Sequence, residues 1–142
     1  MTRRRLALAL RLALVACAGC AVDAAPIEVD LVVTSAGAAA PVRAGEPCRL
    51  RVQPAWRQGV NCQLVLSCGD EDLFGGARAG GYAVCEAEGG ALTRALDDVA
   101  GRDGDPAIAL DALARTVTWR DRAVGTEMTL SFVGEPRDTA AW

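Results

Sequence analysis

Two stretches decide the fold: Cys48-Arg49-Leu50-Arg51-Val52-Gln53-Pro54 and Val60-Asn61-Cys62-Gln63-Leu64-Val65-Leu66-Ser67-Cys68. In the first, Cys48, Leu50 and Val52 alternate with Arg49, Arg51 and Gln53. In the second, Val60, Cys62, Leu64 and Leu66 alternate with Asn61, Gln63 and Ser67. A period of two puts one side-chain set on each face of an extended chain, so both stretches predict strands with one buried and one wet face. Residues Ala55 to Gly59 form a loop short enough to close them into an antiparallel hairpin.

The same pattern extends outward in both directions. Ile27, Val29, Leu31 and Val33 alternate with Glu28, Asp30 and Thr34, and Ser35 to Glu46, with Gly37, Pro41 and Gly45, reads as a loop. Tyr82 to Glu86 is a short strand, and Ala91 to Leu96 reads equally as a strand or a helical turn. Ile108 with Leu110, Val117 with Trp119, and Met128, Leu130 and Phe132 complete the set. Ala109 to Arg115 is the one place where helix propensity competes, and Thr116 and Val117 pull it back toward strand. About seven short strands without an amphipathic helix predict an all-β domain over 27–134, a small disulfide-braced antiparallel β-sandwich or barrel. Residues 135–142 are expected to form a C-terminal tail.

Ahead of the domain, Met1 to Cys20 reads MTRRRLALALRLALVACAGC. A basic start at Arg3, Arg4 and Arg5 precedes an apolar run ending in small residues, as in a secretory signal peptide. Arg11 splits that run into pieces too short to span a bilayer. The end of the segment resembles the lipobox of bacterial lipoprotein precursors, in which small residues precede a cysteine that is lipidated and becomes the new N-terminus. Leu14-Val15-Ala16-Cys17 fits that pattern at every position. Ala18-Gly19-Cys20 fits the two small positions, and choosing Cys20 lets the apolar stretch after Arg11 run its full length to Gly19. The resemblance covers the leader alone. It implies a signal peptide over 1–19 with cleavage before Cys20 or Cys17, a tether over 20–26, and attachment to a membrane through lipid on the cysteine. An unlipidated chain, secreted or periplasmic, is the alternative. Ala follows either cysteine, and by the same resemblance that residue permits sorting to the outer membrane.

Beyond the leader stand Cys48, Cys62, Cys68 and Cys85, an even set in an exported chain, which predicts two disulfides. Three pairings are open. The hairpin sets Cys48 opposite the far end of its partner strand, favouring Cys48 with Cys68 and Cys62 with Cys85. No Cys-x-x-Cys pair is present, and zinc is not expected.

The chain has 142 residues and a formal net charge of −3, with no His and no Lys among its charged residues. That removes the usual general base at neutral pH and every amine nucleophile, and Ser35, Ser67 and Ser131 have no base to activate them. Carboxylate-pair glycoside hydrolysis needs a cleft that a domain this small has little room for. No enzymatic activity is expected. Cleavage before Cys17 removes four of the fifteen arginines and none of the eighteen acidic residues, leaving −7. Such a charge argues against nucleic acid as a partner.

Candidate contact residues are Trp56 with Arg57, in the expected hairpin loop, and Arg49 with Arg51, which alternate on one strand face. Trp beside Arg is typical of contact anchors, and the arginine stripe would steer an anionic partner, or pair with Glu28 and Asp30 across the sheet. Asp97, Asp98, Asp103 and Asp105 make the densest acidic stretch, a candidate calcium loop or a pair of turns. Asp70, Glu71 and Asp72 read as a solvated loop, and Phe74 and Tyr82 fall in a glycine-rich loop expected to be mobile. The resulting expectation is a non-catalytic, lipid-anchored envelope protein whose β-domain binds a protein or glycan. A secreted calcium- or small-ligand-binding module or a hydrolase inhibitor is the alternative.

Overall fold

A computed structural model describes residues 26–54, 61–76, 81–84, 95–100 and 106–138. They form nine strands and no helix: β1 (Ile27–Ala36), β2 (Pro47–Pro54), β3 (Asn61–Cys68), β4 (Glu71–Phe74), β5 (Tyr82–Val84), β6 (Ala95–Ala100), β7 (Ala107–Asp111), β8 (Thr116–Asp121) and β9 (Thr126–Asp138). One antiparallel sheet joins them in the order β4-β3-β2-β1-β9-β8-β7-β6, with β5 also pairing β3. The sheet curls into a half-barrel, so the domain takes the barrel-like form of the expected class rather than two stacked sheets.

Alternation builds the interior. Val29, Leu50, Leu66 and Phe74 form one continuous cross-strand row, and Val33, Leu130, Val117 and Leu110 form another. All eight are at most 3% exposed, so burial rather than strand propensity holds the register. A one-residue slip would turn each of these side chains out to water, at a cost of about 1.5 to 3 kcal/mol for each large one.

Cys48 and Cys68 are direct partners across β2 and β3 and are joined by a disulfide with a Cα separation of 4.2 Å. This is the pairing favoured from the hairpin. Cys62 is also disulfide-bonded, while Cys85 lies outside the described residues.

Several expectations are corrected. Glu71 and Asp72 open β4 rather than sitting in a loop, and Phe74 is core at 1% exposure rather than part of a mobile loop. In β4, Leu66 pairs Phe74 while Ser67 pairs Asp72, which leaves Leu73 bulged. Both Leu73 and Phe74 therefore face the interior, and two adjacent inward residues hide the period of two. The glycines after β4 are close-approach positions. Gly75 has φ +65°, and a Cβ there would lie 2.0 Å from the Leu64 carbonyl oxygen; at Gly81 the same oxygen would be 2.6 Å away. Leu64 N–H in turn donates to the Gly81 carbonyl, seating the start of β5 on β3 where β4 leaves it.

Asp97 and Asp98 lie within β6, not in a turn. The ladder shifts between Leu96 and Val99, so these two residues face one on β7. The strand expected at Ile108 and Leu110 is β7, and 112–115 form a turn. Nor is 135–138 a tail, because β9 runs on to Asp138 and pairs Arg137 with Glu28. Between Asp30–Val133 and Glu28–Arg137, three residues of β9 face only Val29. Gly134, at φ +74°, begins this excursion.

The two hairpin loops at either end of β8 share one design. Asp111 and Thr116 bracket four turn residues, as do Asp121 and Thr126. In each, the Asp Oδ1 accepts loop N–H groups: that of Ala114 at 2.9 Å, and those of Ala123 and Val124 at 3.0 and 3.3 Å. The last turn residue is left-handed in both, Arg115 at φ 58° and Gly125 at φ 72°. Arg115 is held there by Phe132, whose ring lies 5.5 Å below the guanidinium, and by Glu135 at 3.0 Å.

Candidate functional site

The outward set of β1 carries Glu28 and Asp30. Register sets Arg51 opposite Glu28 and Arg49 opposite Asp30 on β2, and Arg137 opposite Glu28 on β9. The structure therefore brings together two of the expected contact residues, Arg49 and Arg51, with two carboxylates and with Arg137, from the stretch expected as a tail. Trp56, Arg57, Asp103, Asp105, Cys17 and Cys20 lie outside the described residues.

Arg137 is the strongest partner in the cluster. Its Nη1 donates to Asp30 Oδ2 at 2.9 Å and its Nη2 to Asp30 Oδ1 at 3.1 Å, a two-pronged fork, with a further contact to Glu28 Oε2 at 3.3 Å. Hydrogen bonding to Arg137, more than its charge and that of Arg49, holds the Asp30 carboxyl below its ordinary range. The same bond raises Arg137 above the usual guanidinium value. Arg51 Nη1 lies 3.5 Å from Glu28 Oε1, and both side chains are only 11% exposed. Arg49 is different: its Nε stands 3.7 Å from Glu28 and 3.6 Å from Asp30, and its side chain is 54% exposed.

Beside this cluster, an open depression of about 590 Å³ lies over β9, β1, β2 and β3, with Asp30, Val32, Pro47, Arg49, Ser67 and Val133 on its lining. Its axis is one cross-strand row, in which Val133 pairs Asp30, Asp30 pairs Arg49, and Arg49 pairs Ser67. Val133 is 52% exposed, one of three large apolar side chains so open to water among the described residues. The site thus offers an apolar end, a neutralised ion pair, an exposed guanidinium and a hydroxyl in sequence. Such an arrangement suits recognition by charge and shape.

Arg137 and Val133 were missed because Val133-Gly134-Glu135-Pro136-Arg137-Asp138 has neither alternation nor an apolar face. The signal that pointed to the site was the match of Glu28-x-Asp30 to Arg49-x-Arg51, two carboxylates and two arginines at the same spacing on two strands. Among the described residues no group of three or more His, Cys, Asp or Glu could hold a metal ion, and no helix is long and apolar enough to cross a membrane. Compared with known proteins, the chain matches no protein family, no curated protein and no solved structure.

Proposed function

We propose that this chain is an exported, non-catalytic envelope protein, held on a membrane by lipid at Cys20 or Cys17, whose β-domain binds a protein or glycan. The observation that carries the reading is the buried Cys48–Cys68 disulfide, 6% and 9% exposed, which ties two core strands together. Bonds of this kind form and persist outside the reducing cytosol, which agrees with a leader resembling those of bacterial lipoproteins. A second observation supports binding by surface: Arg49 and Val133 stand open on a depression in the outer face of the sheet.

Two acyl chains contribute about 0.8 kcal/mol for each buried methylene, enough together to hold a domain of this size on a bilayer. The anchor then does the attaching and the folded face is left for a partner. Intact mass of the protein recovered from its host, before and after reduction with alkylation, tests the reading. A diacylglyceryl-bearing N-terminal fragment beginning at Cys17 or Cys20 is the expected result. A mature chain without lipid would remove the membrane from the proposal.

A further inference from the structure

The three arginines of the outer-face cluster differ in exposure, Arg49 being the most open of them. Among the described residues, Glu28 and Asp30 are shared by Arg49, Arg51 and Arg137. Arg137 engages both oxygens of Asp30 with its fork, and Arg51 lies low against Glu28. Arg49 Nε stands 3.7 Å from Glu28 and 3.6 Å from Asp30, long contacts that leave its side chain 54% exposed. It stands at the wall of the depression, next in register to Ser67.

We propose that this depression docks an acidic peptide segment of a protein partner, with a ligand carboxylate on Arg49 and Ser67 and a neighbouring aliphatic side chain on Val133. The inference rests on reading the domain as a binding module and names its ligand class. Adjacent strands lie about 4.8 Å apart, so Val133 and Arg49, two strands apart on one row, are separated by about 10 Å. Residues i and i+2 of an extended peptide point the same way at a spacing of about 6.6 Å, and the length of a Glu and an Arg side chain closes the difference. Asp30 lies between the two ends of the row, but both its oxygens are engaged by Arg137, so an incoming carboxylate meets a neutralised pair. The lining favours a peptide over a glycan. Val32, Pro47 and Val133 give it aliphatic surface suited to an aliphatic side chain.

The test titrates the purified protein at low salt with acetyl-Leu-Gly-Glu-amide, following the Arg49 Nε–H and the Val133 methyl groups by NMR. Saturable shifts at both residues are expected. The Gln analogue of the peptide and the Arg49→Gln protein should each bind about tenfold or more weakly, the loss of one charge-assisted contact. Arg49→Gln is an exposed substitution, and an unchanged Tm will show that the fold is kept. No saturable shift at millimolar peptide, or equal binding of the Gln analogue, would overturn the proposal. Arg49-dependent binding of oligogalacturonate without binding of the peptide would also overturn it, while leaving the domain a glycan-binding module. Anchoring is read separately, by the mass of the N-terminal fragment.

Discussion

Trp119 Nε1 donates a hydrogen bond of 3.1 Å to the Leu73 carbonyl, from β8 to a strand five places away along the sheet. The bond is buried and crosses the interior, so it measures the curl of the sheet directly. It also answers a local need. Leu73 is the bulged residue of β4, its backbone is out of the ladder with β3, and the indole supplies the partner that a regular strand would have had.

Trp119→Phe keeps most of the apolar volume and removes that donor. The buried Leu73 carbonyl is then unsatisfied, and unfolding free energy should fall by about 1 to 3 kcal/mol with the fold retained. Urea titration followed by circular dichroism measures the change.

Gly75→Ala should be far more damaging than Gly69→Ala. Both positions have positive φ, but an alanine Cβ at Gly69 meets open space while at Gly75 it lies 2.0 Å from a backbone oxygen. The expected cost at Gly69 is about 1 to 2 kcal/mol from the left-handed backbone alone. Gly75→Ala is expected to yield no cooperatively folded protein; a melting transition within a few degrees of wild type would contradict this account of the β4–β5 crossing.

Replacing Cys48 and Cys68 together with Ala opens a loop spanning a sequence separation of 20. The chain-entropy relation gives a loss of about 3 kcal/mol for a loop of that length. Comparing the melting of this variant with wild type under non-reducing conditions checks it.

Asp30 makes a signed contribution to acid stability. Its folded pKa lies below the 3.8 of the free side chain, so between those values the unfolded chain binds the proton and the folded chain does not. The stabilisation is therefore complete above the unfolded value and is lost as pH falls through the folded one. Asp30→Asn should flatten the stability profile across that acid interval and leave its slope between pH 6 and 7 unchanged. Unfolding midpoints collected from pH 2 to 7 decide the matter, and parallel profiles for the two proteins would count against it.

Thr126 presents the opposite case, a buried hydroxyl at 8% exposure whose Oγ1 has no hydrogen-bond partner among the described residues. Thr126→Val keeps the shape and removes the unsatisfied group. A gain of about 1 kcal/mol is expected, read as a raised Tm by differential scanning calorimetry.

What was legible in the sequence follows from where alternation survives. Strands β2, β3, β7 and β8 keep one wet face and one core face, and β1 does so from Val29 to Val33, so their period of two is legible. Strand β4 was lost because the bulge at Leu73 turns Leu73 and Phe74 to the same side. Strand β6 was lost at Asp97 and Asp98, where the ladder also slips. The last third of β9 has no inward residues to betray it and is held by its pairing with Ile27 and Glu28, a tertiary fact that no local pattern carries. The candidate site was half visible for the same reason. Arg49 and Arg51 sit in clean alternation, whereas Arg137 reaches the cluster only because the excursion at Gly134 brings β9 back to β1.

The first strand among the described residues is also the middle of the sheet. β1 is hydrogen-bonded to β2 on one side and to β9 on the other, and its first residue, Ile27, is paired on both. Tension arriving through the N-terminus therefore enters along the strand axis and is shared by two ladders at once. An edge strand pulled from its end would peel one bond at a time, but β1 must shear against both neighbours together. Mechanically, the domain is gripped at its centre, and a pull on the chain ahead of Ile27 is resisted by two ladders at once.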